Sequence, residues 1–432
     1  MMTSSVTYLM RRHIVLTLMI FAMPFSGTPE LNSNLFGISG LKPLNILALS
    51  VLVLWLVKGG ELLTYRDTLR FRATMIYFAY LAIFSIEFFR SYIDYGMLVL
   101  RYSTDFHESS FSYLLSFWVK PLLVTGLFLY IINHIKSRES VEAVVDLLLL
   151  AIFLFALATL SLSVDSVFSG EHRNELRDAF SESFGFHYNT VGTILMLFVP
   201  LALSRAISRG WGWLIVFAAI LLALLLSQSR GAILGAIGGM LIYLFLLRRI
   251  GISTIAILLL IAALGVWLAE PLLNLFSQGV ESGDLSEISS GRVDSMWLPL
   301  LNELFENPVR LIVGFGLFGV IMSDSYVMVS NFYQATHAHN AYIDLLVDGG
   351  LIVFVPFLIL LVYSLRQAMK WGKELQSTTY FGLISSVAVY LVSSISERQF
   401  FPRPDNMLLL PLIALLLVIV ISEKNARRYN TA

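Results

Sequence analysis

Cysteine is absent from the 432 residues, which excludes disulfides, thiolate catalysis and cysteine-ligated metals. Charge is scarce: Asp, Glu, Lys and Arg make up 13% of the chain and cancel to zero net charge. Internal repeats, a low-complexity tail and any polar stretch long enough for a soluble domain are also missing. What remains is apolar. Hydrophobic residues are 57% of the chain and the mean hydropathy is +0.78, far outside the range of soluble domains.

Apolar runs recur from end to end, each near the length needed to cross roughly 30 Å of hydrocarbon as a helix. Twelve are legible, at about 13–26, 44–58, 72–89, 111–134, 143–163, 189–206, 212–227, 230–248, 253–269, 341–365, 378–396 and 406–422. The expected fold is an all-α polytopic membrane protein with about twelve transmembrane helices, a single membrane-embedded domain over 1–432. The first run has a basic start but no small-residue cleavage site, so it reads as a span.

With twelve spans, 18 of the 29 Lys and Arg residues fall on the side of the N-terminus and ten on the other; Lys120 lies within a span. The positive-inside rule then puts both termini in the cytoplasm. The opposite, outer side carries the two long connections, 164–188 and 270–340. The larger contains Asp284-Leu285-Ser286-Glu287, the amphipathic stretch Met296-Trp297-Leu298-Pro299-Leu300-Leu301 and a Gly314-Phe315-Gly316 turn. Long loops with structure of their own are often functional.

Polar residues gather on that outer side. Arg230 opens a span within Ser229-Arg230-Gly231, and Arg292 lies in the large loop. His337 and His339 close the loop, followed by Asn340 and Asp344, and Asn189 opens another span from the same face. A charge at the centre of a spanning helix costs roughly 2.5–3.5 kcal/mol on insertion scales, so such a cluster needs a reason. Nine of the ten outer cations are arginine. Guanidinium binds phosphate bidentately and keeps its charge when partly desolvated. Histidine suits proton transfer near neutrality. Together they fit an acid/base site handling a phosphoanhydride. No Asp-x-Asp pair is present, so arginine rather than a metal is expected to hold the diphosphate.

Each residue has a bland rival. Arg230 fits snorkelling at the interface, Arg292 an ordinary loop charge, and His337 and His339 a hydrogen-bonded loop end. Asn340, Asp344 and Asp348 share one helical stripe, which suits either a cavity lining or pairing with a neighbouring helix. Gly231, Gly235, Gly238 and Gly239 read as close helix contact in lipid.

Taken together, Ser229-Arg230-Gly231, Arg292 with Trp297, Gly314-Phe315-Gly316 and His339-Asn340 with Gly350 resemble the O-antigen ligase/polymerase superfamily of bacterial envelope glycosyltransferases over about 185–355. Val353 stands where ligases of this family often have a small or turn-forming residue. The resemblance implies a GT-C-like inner-membrane enzyme with its active site facing the periplasm, on the side of the two long loops. Its donor would be a glycan on undecaprenyl pyrophosphate, and its acceptor lipid A-core for a ligase. The alternatives are another lipid-linked repeat for a polymerase, or a protein for an O-oligosaccharide ligase. On this likeness the catalytic residues are Arg230, Arg292 and His339, with Asn340, His337, Asn189 and Asp344 binding substrate. No metal, cofactor or nucleic acid is expected. A lipid-linked sugar flippase is the rival from another class, but transporters usually show repeat symmetry and charge near the midplane.

Overall fold

Backbone polar groups in hydrocarbon must be satisfied within the segment, which leaves an apolar run little choice but helix. A computed structural model describes residues 4–37, 41–58, 68–101, 109–168, 173–247, 292–326, 336–375, 377–395 and 408–430, and every regular element among them is helical. In chain order the main helices are α1 (Ser4–Arg12), α2 (Ile14–Ala22), α3 (Pro43–Lys58), α4 (Thr68–Ile93), α5 (Ser110–His134), α6 (Arg138–Phe168), α7 (Arg173–Phe184), α8 (Tyr188–Arg209), α9 (Trp211–Leu226), α10 (Arg230–Leu247), α11 (Leu298–Glu306), α12 (Pro308–Val313), α13 (Ala341–Leu375), α14 (Thr378–Ser393) and α15 (Leu409–Asn430).

Among the described residues, five stretches are long and apolar enough to cross a membrane: Ser110–His134, Arg138–Ser163, Tyr188–Arg209, Arg230–Leu247 and Ala341–Ile359. A sixth arises if Val6–Arg12 and Ile14–Phe25, bent by 105°, count as one. Pro43–Val57, Trp211–Leu226, Thr378–Ser393 and Leu409–Val420 are apolar but shorter. The expected run at 253–269 lies outside the described residues, as do 270–291 and 327–335 of the large loop.

Helix α8 is the centre. Every residue from Val191 to Ala206 is buried, as suits a helix that is apolar all round. It packs against α6, α9, α10 and α14. Where α8 ends, α6 and α14 begin, and an ion network joins the three. Arg205, 1% exposed, reaches Asp146 at 2.8 Å and Glu142 at 2.5 Å. Arg209 pairs with the same two acids, and Thr379 bridges Arg205 and Glu142. Two guanidinium groups against two carboxylates leave no net charge to bury. These are ends that the charge count assigns to one side of the membrane.

The opposite ends also meet. Ser229 Oγ donates to Asn189 Oδ1 at 3.1 Å, joining the starts of α8 and α10. At the end of α14, the Ser394 carbonyl accepts from Ala341 N–H at 2.8 Å and the Leu391 carbonyl from the Tyr342 hydroxyl at 2.8 Å. The start of α13 is thereby fastened beside α14.

Part of the 164–188 connection is itself helix. Leu176, Phe180 and Phe184 of α7 repeat every four residues and are buried, and α7 packs on α6 and α8.

Candidate functional site

The turn into α13 is held by several side-chain contacts. Asn340 caps the helix, its Oδ1 accepting from the N–H groups of Tyr342 at 3.0 Å and Ile343 at 3.2 Å. His339, immediately before it, has φ +52°. Left-handed backbone at a non-glycine residue costs on the order of 1–3 kcal/mol and persists only where the surroundings dictate it. Here they do. Ala338 is fully buried; its N–H donates to Asp344 Oδ1 at 2.7 Å, and its carbonyl accepts from Trp297 Nε1 at 2.7 Å. The ring of His337 lies 4.2 Å from that of His339, and its Nδ1 is 3.1 Å from Thr336 Oγ1.

Trp297 comes from the large loop. A π-helical turn, Val293–Trp297, runs into α11, and Met296, Leu300 and Leu304 form its buried stripe at i, i+4 and i+8. This is the amphipathic helix legible in the sequence. Arg292, half-buried, sits at its N-cap. The helix that bears Arg292 is therefore bonded directly to the residue before His339.

Arg230 is the first residue of α10, half-buried, where the helix dipole and the guanidinium both favour an anion. Two residues earlier Gln228 is also left-handed, with φ +56°. Ser229 is tied to Asn189, and Gly192 lets the two helices approach: a Cβ there would meet Ser229 Cβ at 2.5 Å. His187 caps α8, its Nδ1 accepting from Asn189 N–H at 3.3 Å.

The sequence-derived residues thus form two groups at one end of the helices. His337, His339, Asn340 and Asp344 share one turn, with Arg292 attached through Trp297. Arg230 and Asn189 sit together on α10 and α8. Helix α14 packs against α8, α10 and α13, and links the groups.

The abundance of outer arginine has a second cause that the sequence did not reveal. Arg90 donates to the carbonyls of Val313 and Gly314, Arg101 to those of Ile321 and Ser323, and Arg310 lies 4.9 Å over the Phe315 ring. These three hold the 313–323 segment rather than a ligand. Asp348 does likewise: its Oδ1 accepts from Gly319 N–H at 2.7 Å, and its carbonyl from Gly316 N–H at 2.8 Å. Glu87, buried in α4, was overlooked among the apolar residues of its run. Its carbonyl accepts from Leu317 N–H at 3.2 Å, and its carboxylate abuts Gly349, where a Cβ would lie 2.0 Å from Oε1. A lone acid in an apolar run was the available signal.

One expectation changes. The sequence reads 341–365 as a continuous span, whereas Gly350, with φ +62° and ψ −165°, breaks α13. Asn340, Asp344 and Asp348 all precede the break, and the run Leu351-Ile352-Val353-Phe354 follows it. The polar stripe is thus separated from the apolar part of the helix. No side chain fits at the break: a Cβ on Gly350 would lie 2.4 Å from the Ile312 carbonyl oxygen and 2.6 Å from the Gly314 nitrogen.

Residues 215–358 match a family model described as O-antigen ligase. The match spans a third of the chain and is a similarity to the O-antigen ligase/polymerase superfamily. The matched segment includes Arg230, Arg292, Trp297, His337, His339, Asn340 and Asp344, and leaves Asn189 outside. Members of this superfamily are membrane glycosyltransferase-like enzymes that act on lipid-linked glycans and acceptors. The all-helical architecture with several apolar helices accords with a polytopic membrane protein. No curated protein matches the chain.

Proposed function

We propose that this chain is a GT-C-type glycosyltransferase of the bacterial inner membrane. On this reading it is one membrane-embedded domain of twelve spans, with both termini in the cytoplasm and the active site facing the periplasm. It moves a glycan from undecaprenyl pyrophosphate to an acceptor hydroxyl, and the best reading of the acceptor is lipid A-core, which makes it an O-antigen ligase. The observation that carries this is the gathering of Arg230 and His339, with the Arg292 helix attached, at one end of the helices within the O-antigen ligase segment.

The chemistry follows from those groups. His339 accepts the proton of the attacking hydroxyl, whose oxygen forms the new bond to the anomeric carbon. The bond from that carbon to the diphosphate breaks, and undecaprenyl diphosphate departs with the electron pair. Attack opposite the leaving group inverts the configuration, through an oxocarbenium-like transition state. Arg230 and Arg292 grip the diphosphate and neutralise its growing charge, the task a metal performs elsewhere. Diphosphate leaves readily, so positioning and charge neutralisation are the main demands. His337, Asn340, Asp344 and Asn189 shape the surroundings.

Deleting the gene and analysing envelope lipids tests the reading. A ligase predicts complete polymer accumulating on its carrier. Single repeats on the carrier would make it a polymerase. Normal envelope polysaccharide with unglycosylated protein would make it a protein O-oligosaccharide ligase, and units trapped on the cytoplasmic side would make it a flippase.

A further inference from the structure

Both backbone polar groups of Ala338 are taken by side chains from different parts of the chain. Asp344 lies one turn into α13 and accepts from the N–H; Trp297, at the mouth of α11, donates to the carbonyl. The residue so pinned is fully buried, and its successor is the left-handed His339. Trp297 also lies five residues after Arg292 on the same helical stretch. Its neighbours Met296 and Leu300 are buried in a cluster that includes Phe315, Phe318 and Val347, so this stretch is firmly seated. One indole hydrogen bond therefore fixes the position of the histidine turn relative to the arginine helix.

We propose that Trp297 and Asp344 form a positioning clamp on Ala338. The clamp holds His339 in its left-handed conformation and sets the spacing between the imidazole and the Arg292 guanidinium. Neither clamp residue touches the reacting atoms. Asp344 thus acts through the histidine turn rather than on the glycan. The inference rests on the assignment of His339 and Arg292 as the groups serving the acceptor and the diphosphate. Misplacement of a reacting group by an ångström slows a positioned reaction steeply, so the clamp shows in turnover rather than in donor affinity.

The test uses the full chain in lipid nanodiscs, with the lipid-linked glycan that accumulates in gene-deleted cells as donor and envelope extract from the same cells as acceptor. Trp297→Phe keeps an aromatic ring and removes the donor N–H. We expect its kcat to fall at least tenfold with the donor KM within twofold, and Asp344→Leu, which removes the acceptor for the Ala338 N–H, to show the same split. Because the chain has no cysteine, Ser295→Cys and Thr336→Cys give two clean spin-label sites flanking the clamp. Their distance distribution is expected to be narrow in the parent and broad with Trp297→Phe added. Wild-type kcat in Trp297→Phe, or an unchanged distribution, would overturn the clamp. Full activity in His339→Ala would instead overturn the functional assignment, while the distance measurement still judges the clamp.

Discussion

Ser229 donates its hydroxyl proton to the side-chain oxygen of Asn189, 3.1 Å away, and so fixes the start of α10 against the start of α8. Arg230 is the next residue. Its guanidinium is aimed by a helix whose first turn is tied down through the serine, while Gly192 allows the close approach. A net hydrogen bond of this kind contributes about 1 kcal/mol. Ser229→Ala should therefore raise the donor KM several-fold while leaving the melting temperature nearly unchanged, as measured by transfer kinetics and thermal unfolding in detergent.

Arg230→Lys should be severely impaired although the positive charge is kept. The guanidinium forms a planar fork that matches two phosphate oxygens, and an ammonium is a point charge. Protein level and insertion should match the parent. Transfer by Arg230→Lys should fall at least a hundredfold, and chelator should leave the activity of the parent unchanged. Restoration of a chelated parent enzyme by Mg²⁺ would contradict arginine-based binding.

The Arg205 network concerns stability rather than chemistry. Arg205 is 1% exposed and bonded to Asp146, Glu142 and Thr379. Removing one partner of a buried pair leaves an uncompensated charge, at a cost of about 3–5 kcal/mol. Asp146→Ala and Arg205→Ala should each lower the melting temperature sharply. The combined Asp146→Leu, Arg205→Met protein should recover much of the loss, because its buried charge is removed from both sides. Monodispersity on size exclusion after heating is the convenient measure.

Gly350→Ala combines two penalties. A side chain at φ +62°, ψ −165°, a region that essentially only glycine occupies, costs on the order of 1–3 kcal/mol, and the added Cβ would lie 2.4 Å from the Ile312 carbonyl. The 312–319 segment should then lose its seat on α13 and become sensitive to limited proteolysis, with transfer falling in parallel. Alanine at Gly238, where a Cβ meets nothing within 4 Å, is the matched control and should leave both unchanged.

Much of the fold was legible because hydrocarbon imposes a simple rule: an apolar run of sufficient length becomes a helix. The runs at 111–134, 143–163, 189–206 and 230–248 are found as helices with closely similar bounds. The histidine turn was legible because polar residues before an apolar run need a reason. What could not be read is what depends on three-dimensional contact. Charge and topology alone do not distinguish Arg90, which supports the backbone of Val313 and Gly314, from Arg292, which only the family pattern singles out. The break at Gly350 was hidden, since glycine is common in membrane helices and only the approach of Ile312 and Gly314 shows that no side chain fits here. Trp297 was visible as part of a family pattern, but its bond to Ala338 joins residues 41 positions apart.

The central claim is that an imidazole at position 339 activates the acceptor beside arginine-held diphosphate. The most direct measurement is in vitro transfer by the purified His339→Ala protein, with donor binding measured in parallel. The account predicts transfer reduced at least a thousandfold with lipid-linked donor still bound. Transfer at the parent rate would contradict it.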